Sequence, residues 1–427
     1  MKKTISGIRG IVGDDLLIPD VINFCNNFCA LIDSECVMAR DTRPSGMMLK
    51  EVACASILQN GTNVLDLGIA PTPVVFWEAK KHGAGVIVTS SHNPLEWNGL
   101  KFIVNGRGIN QEQLHTIQTK QDLPKTKHGT ELPFESSYVD SAAALVGRKC
   151  NNKVIVDIGG GAAVNTAPEL LNALGCKVHT INTNLSKSTR GPDPTVEPLT
   201  ELVDASSKYG MGFAFDLDGD RMVLAVDGKK QSPDATLALG VVKALDLGIT
   251  KFVLSIDTSI AVEKIILDRG ASVTRSKVGE ANVVEEMMQT SAQAGGEGSS
   301  GGFILPEFNY CRDGILTAGF IATMDDKDMY STLSMVSKYS QSREKVKVKS
   351  SLHNLVLEKV ATMMEKQYGQ IVTLDGIKVM VDENSWILVR RSNTEDVIRV
   401  SAESLDVNRS IKLVSKVKRM VLDAVGT

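Results

Sequence analysis

Val154-Ile155-Val156-Asp157-Ile158-Gly159-Gly160-Gly161 is an apolar, β-branched run that ends on a carboxylate and three glycines. Such a run, closed off by glycine, reads as a buried strand. A helical pattern follows over 167–174, and a second strand-like run over 177–181. Strand, polar loop, helix and strand in succession mark α/β layering, in which helices cover both faces of a sheet. The same beat occurs on either side. Upstream, 36–39 reads as a strand, 74–80 as a helix and 85–88 as a strand ending at a polar loop; downstream, 252–256, 260–267 and 271–274 read as strand, helix and strand. In each pass a loop rich in Gly, Ser or Asp follows a strand, the place where open α/β sheets hold ligands. The passes share rhythm rather than residues, so they suggest related folds without a sequence repeat.

After Lys345 the pattern changes to a helix over 355–366, strands over 377–381 and 386–389, and a basic amphipathic helix over 411–425. That is the pattern of a separate α+β unit. Polar or Pro-containing breaks put divisions near Pro133, Pro233 and Lys345, giving units 1–133, 134–233, 234–345 and 346–427. The expected fold class is α/β: three mixed α/β domains of related fold plus a smaller C-terminal α+β domain.

Composition narrows the function. The 427 residues are 43% hydrophobic and 23% charged with a net charge of -3, ordinary for a globular chain long enough for several cores. No global basic field exists to attract nucleic acid, so any anion must be held by local arginines and lysines. The seven cysteines, at 25, 29, 36, 54, 150, 176 and 311, form no CxxC pair and no metal-ligand spacing. Reduced thiols in the cytoplasm are expected. The N-terminal Met-Lys-Lys-Thr-Ile-Ser-Gly-Ile-Arg-Gly lacks the apolar run of a signal peptide, and no stretch approaches the ~18 apolar residues of a membrane span.

Four segments carry chemistry. Thr89-Ser90-Ser91-His92-Asn93-Pro94 follows a strand and precedes Asn98-Gly99-Leu100-Lys101, so a hydroxyl is presented on a loop that Asn-Pro keeps from becoming a helix. A Ser-His hydrolase reading is weak here, because no Gly-x-Ser-x-Gly elbow surrounds the serine. Phe213-Ala214-Phe215-Asp216-Leu217-Asp218-Gly219-Asp220-Arg221 puts three carboxylates at alternate positions after an apolar strand, where they can converge on a hard cation such as Mg²⁺. An EF-hand is excluded, since Arg221 stands at its glycine position and Asp227 at its bidentate glutamate. Gly295-Gly296-Glu297-Gly298-Ser299-Ser300-Gly301-Gly302 lets backbone approach a ligand closely and sets one carboxylate to accept sugar hydroxyls. Arg390-Arg391-Ser392-Asn393-Thr394-Glu395, with Arg399 beyond it, combines guanidinium and hydroxyl donors suited to phosphate.

In this order the four segments resemble the α-D-phosphohexomutase superfamily of phosphoglucomutase, phosphomannomutase and phosphoglucosamine mutase. The resemblance extends through Ser6-Gly7-Ile8-Arg9-Gly10, Asp41-Thr42-Arg43-Pro44-Ser45-Gly46, Ala70-Pro71-Thr72-Pro73 and Val278-Gly279-Glu280. It implies a central cleft where four domains meet, with Ser91 holding the phosphoryl group. Asp216, Asp218 and Asp220 would bind one Mg²⁺ together with that phosphoserine. Arg9 and Arg221 would support it, and Lys101 would serve as general acid/base with a pKa lowered by the closed cleft. Glu297 and Ser299 would read the sugar, while Arg390, Ser392, Asn393, Thr394 and Arg399 would clamp the phosphate that stays. The implied enzyme is a monomer or homodimer that interconverts hexose 6-phosphate and 1-phosphate, preferably of glucosamine, with a hexose 1,6-bisphosphate as intermediate and activator.

Two positions depart from that pattern. Gly298-Ser299-Ser300-Gly301-Gly302 replaces a shorter Ser-Gly-His or Asn-Gly-Gly ending, and Asp396 stands where proline is common. Two rivals remain. A haloacid-dehalogenase-type phosphatase would use Asp216 as nucleophile but leave Ser91 and Arg390 idle; a non-catalytic sugar-phosphate sensor would need only the clamp.

Overall fold

The computed structural model describes residues 1–121, 128–185, 187–392 and 396–426. Three of its sheets share one arrangement. In the first, Asn63–Ile69, Glu35–Arg40 and Gly83–Val88 lie parallel, and Trp97–Val104 joins the last of them antiparallel. In the second the same places are taken by Lys177–Ile181, Lys153–Asp157, Met211–Phe215 and Met222–Val226. In the third they are taken by Ser272–Ser276, Lys251–Ser255, Ala294–Glu297 and Gly302–Ile304. The strand order second, first, third, fourth therefore recurs although no residues repeat. The first sheet is extended by Gly7–Ile11 and Lys2–Thr4 along one edge and by Glu131–Pro133 along the other.

The parallel strands are apolar on both faces because helices cover both. In Glu35–Arg40, Cys36 and Met38 enter one core, while Val37 and Ala39 enter another that continues through the second and third units. That shared core centres on the helix Gly314–Ala322, of which every residue is buried. Backbone and hydroxyl contacts tie the first two units directly: the Thr42 hydroxyl donates to the Gly160 carbonyl at 2.6 Å and the Thr72 amide to the Asp218 carbonyl at 2.8 Å.

The fourth sheet is antiparallel throughout, in the order Ser340–Lys347, Val397–Ser404, Ser385–Arg391, Ile377–Asp382, Ile371–Val372. The helices His353–Tyr368 and Val407–Gly426 supply apolar residues to its core. Its first strand begins at Ser340, so the division expected at Lys345 falls inside an element. The charged residues there lie along an edge strand, where charge discourages further pairing. Among the described residues no helix is long and apolar enough to cross a membrane.

Candidate active site

The common strand order puts three loops in equivalent places, each joining the third strand of its sheet to the antiparallel fourth. These are the Ser91 loop, the Asp216–Arg221 loop and the Glu297–Gly301 loop. The chain thus delivers a hydroxyl, a carboxylate triplet and a glycine-rich turn from three copies of one scaffold.

Ser91 is buried and adopts φ 51°, a left-handed conformation that costs a non-glycine residue about 1–2 kcal/mol. The buried Arg43 holds it there by donating to the carbonyls of Ser91, Asn93, Pro94 and Trp97. Asp41 orients Arg43 at 3.1 Å and accepts the Thr89 hydroxyl at 2.6 Å, and the Thr89 hydroxyl in turn accepts the Ser91 amide at 2.9 Å. From this cradle the Ser91 hydroxyl donates to Asp216 Oδ2 at 2.9 Å.

Asp216, Asp218 and Asp220 are fully buried, and one oxygen from each lies within 4.8 Å of the others. Gly219 makes the turn between them at φ 68°, and a Cβ there would sit 3.0 Å from Pro71. Burial and the two neighbouring carboxylates push Asp216 well above the usual carboxylate range. Oδ1 of Asp218 and Oδ1 of Asp220 are buried without hydrogen-bond partners. Buried, mutually repelling carboxylate oxygens with unfilled lone pairs fit a hard divalent cation, and Mg²⁺ takes such oxygen ligands.

The other oxygens of the triplet are committed. Thr72 donates its hydroxyl to Asp218 Oδ2 at 2.6 Å, and Lys101 Nζ lies 2.9 Å from Asp218 Oδ2 and 3.1 Å from Asp220 Oδ2. This corrects the expectation of a lowered lysine pKa: burial alone would depress it, but Asp218 and Asp220 outweigh burial and hold Lys101 above the ordinary lysine range. Arg221 Nε stands 3.9 Å from Asp220 Oδ1, with its NH1 3.6 Å from Asp193. Arg9, paired with Gly99 across neighbouring strands, has its pKa lowered by burial despite Asp218 and Asp220. His92 lies 3.4 Å from the Ser91 hydroxyl, and burial together with Arg221 and Arg9 drives its pKa far down, so it stays neutral.

In the third loop Glu297 is buried. Its Oε1 accepts the Gly279 amide at 2.6 Å and its Oε2 accepts Arg312 NH1 at 3.0 Å. Ser299 is half-buried in the following turn, whereas Ser300 is buried and donates to the Glu297 carbonyl at 3.3 Å. In the fourth unit Arg390 pairs across strands with Arg399, and the Ser392 amide donates to the Val397 carbonyl at 3.0 Å. Arg390 NH1 also faces Asp375 at 3.8 Å. Asn393 and Thr394 lie outside the described residues. Asp396 accepts both the amide and the hydroxyl of Ser350, which draws its charge to that serine.

The structure therefore gathers Asp216, Asp218 and Asp220, with Ser91 bonded to the first and Lys101 to the other two, and links Glu297 to Asp220 through Arg312. Sequence reasoning missed Arg312, Thr72 and the cradle role of Arg43. An aspartate before an apolar run signals a helix start at 313–314, but nothing local says that the preceding arginine turns toward Asp220.

Comparison with known proteins gives the family and the fold. The phosphoglucomutase/phosphomannomutase family models match in chain order: alpha/beta/alpha domain I over 1–125, domain II over 136–229, domain III over 232–365 and the C-terminal domain over 345–417. A probable phosphoglucosamine mutase of Methanothermobacter thermautotrophicus is 32% identical, over 93% of this chain and 92% of its own length. A phosphoglucomutase/phosphomannomutase of Thermococcus kodakarensis is also 32% identical, over 93% of both. Among solved structures, a phosphoglucomutase/phosphomannomutase family protein of Burkholderia thailandensis superposes with a TM-score of 0.84 at 23% identity, over 98% of this chain and 96% of that one. An N-acetylphosphoglucosamine mutase of Aspergillus fumigatus, solved with GlcNAc-6P and magnesium, gives 0.62 at 13% identity over 100% and 96%.

Proposed function

This chain belongs to the phosphoglucomutase/phosphomannomutase family, and from that premise we propose how its residues move a phosphoryl group between the C1 and C6 oxygens of a hexose phosphate. The enzyme is a phosphohexomutase, an intramolecular phosphotransferase. Its preferred sugar is glucosamine phosphate, ahead of glucose or mannose phosphate; relatives named phosphoglucosamine mutase, among them one from Methanococcus vannielii at 33% identity, support that choice.

The carrying observation is the Ser91 hydroxyl seated 2.9 Å from Asp216, inside a carboxylate triplet. Ser91 carries the phosphoryl group at rest. When bound by Asp216, Asp218 and Asp220, Mg²⁺ supplies charge neutralisation to the group in flight. Arg9 and Arg221 steady its remaining oxygens. As the bond from Ser91 Oγ to phosphorus breaks and the sugar oxygen takes its place, Lys101 gives a proton to Oγ and takes the one leaving the sugar hydroxyl. The lysine ends as it began.

Glu297 and Ser299 orient the sugar hydroxyls. Arg390, Ser392, Asn393, Thr394 and Arg399 grip the phosphate that is not moving, bidentate contacts being what a guanidinium favours. The hexose 1,6-bisphosphate then reverses in the site, and its other phosphate passes back to Ser91. Added bisphosphate should prime unphosphorylated enzyme. Intact-mass analysis tests the carrier: a phosphorylated species that disappears in Ser91→Ala supports it, and full mutase activity in Ser91→Ala refutes it. A substrate panel with bisphosphate activator decides the sugar.

A further inference from the structure

Arg312 opens the turn that starts the helix Gly314–Ala322, and three features fix it there. Asp313 caps that helix by accepting the Leu316 amide at 2.9 Å, and Tyr138 and Asn309 hold Asp313 in turn. Gly314 lets the helix start press on the metal loop, because a Cβ there would lie 2.9 Å from the Arg221 carbonyl carbon. Gly302 clears the path of the arginine stem, because a Cβ at that position would lie 2.2 Å from Arg312 Cδ.

Through this gap the buried guanidinium reaches carboxylates on three separate elements. NH2 donates to Asp220 at 2.8 Å, NH1 to Glu297 at 3.0 Å, and Nε faces Glu280 at 3.1 Å. Glu280 begins the helix Glu280–Thr290, directly after Gly279, whose amide is held by the other oxygen of Glu297. A planar fork can serve three acceptors at fixed angles, while an ammonium concentrates its charge at one point.

We propose that Arg312 is a positioning residue that sets the distance between the sugar-reading carboxylate Glu297 and the metal-loop carboxylate Asp220, and so registers the sugar against the group being transferred. The inference rests on the mutase reading for its consequence and on geometry alone for the linkage. Misplacing a bound reactant by about 1 Å can cost roughly a hundredfold in rate, so loss of this register is expected to be felt in kcat as well as KM.

Arg312→Lys keeps the charge and loses the fork. Gly302→Ala keeps the guanidinium and displaces its stem. Both Mg²⁺-loaded variants are expected to lose at least about tenfold in kcat/KM for glucosamine 6-phosphate, and Arg312→Lys combined with Glu297→Gln should lose less than the product of the two single losses. Additive losses, or two variants that match the wild type, would overturn the assignment. Hydrogen exchange reads the linkage without catalysis: amides of 278–280 and 295–302 should exchange faster in Arg312→Lys while the helix Gly314–Ala322 stays protected. Unchanged exchange in those two segments would also overturn it. A wild-type protein inactive on every hexose phosphate would sink the mutase reading instead, leaving the exchange result to judge Arg312.

Discussion

The Arg390 guanidinium faces Asp375 at 3.8 Å, and the same carboxylate oxygen accepts the Val278 amide at 3.1 Å. One residue further on, the Gly279 amide is held by Glu297. The proposed phosphate clamp is thus joined to the Glu297 loop by one ion pair and two hydrogen bonds. Asp375→Ala should free Arg390 from this path and raise KM for the hexose phosphate about tenfold, the scale of one charge-assisted contact. Steady-state kinetics with an unaltered KM would break the connection.

Removing the clamp cation itself should cost more. Arg390→Ala is expected to raise KM roughly 10–100-fold, and Arg390→Lys should recover only part of this because it loses bidentate contact. Phosphoserine content should stay at the wild-type level in both, which intact mass can check.

The triplet predicts a metal-dependent gain in stability. Saturating Mg²⁺ at about 100 times its dissociation constant should stabilise the fold by about 2.7 kcal/mol. Asp218→Asn should lose most of that increment, read as a Tm that no longer responds to Mg²⁺. An undiminished response in the variant would remove the triplet from metal binding.

Two buried groups between the third and fourth units should give opposite pH slopes. Burial, together with Glu403, raises Asp234 from 3.8 to about 7. The unfolded chain therefore binds fewer protons between those values, and stability falls as pH rises through that window, by up to about 4 kcal/mol. Burial and Arg275 lower Lys378 from 10.5 to about 7. There the unfolded chain binds more protons, so stability rises again from about 7 toward 10.5. Denaturant titrations across pH should carry both slopes, each read as the difference between wild type and the variant that removes the group. Asp234→Asn should flatten the acid side and Lys378→Met the alkaline side; slopes that persist in both variants would exclude these residues as the source.

Much of this fold can be read from local pattern. The strand at Val154 and the helix after its glycines follow from apolar runs and punctuation, and a helix over 355–366, within the observed His353–Tyr368, from periodicity. What cannot be read locally depends on contacts made across the chain. Lys101 looks like a depressed amine in a cleft until Asp218 and Asp220, more than a hundred residues later, are seen beside it. Arg312 looks like the exposed neighbour of a helix cap until the glycine at 302 opens its route inward. The division expected near Lys345 rests on a polar stretch that the structure shows as an edge strand, Ser340–Lys347, with charged residues exposed along it.

The hydrogen bonds from Thr42 to Gly160 and from Thr72 to Asp218 bolt the serine-bearing loop's scaffold to the metal loop's scaffold. Serine and carboxylates thus share one hydrogen-bonded footing. In the proposed mechanism a bisphosphate turning end for end would meet the same paired scaffolds at either phosphate.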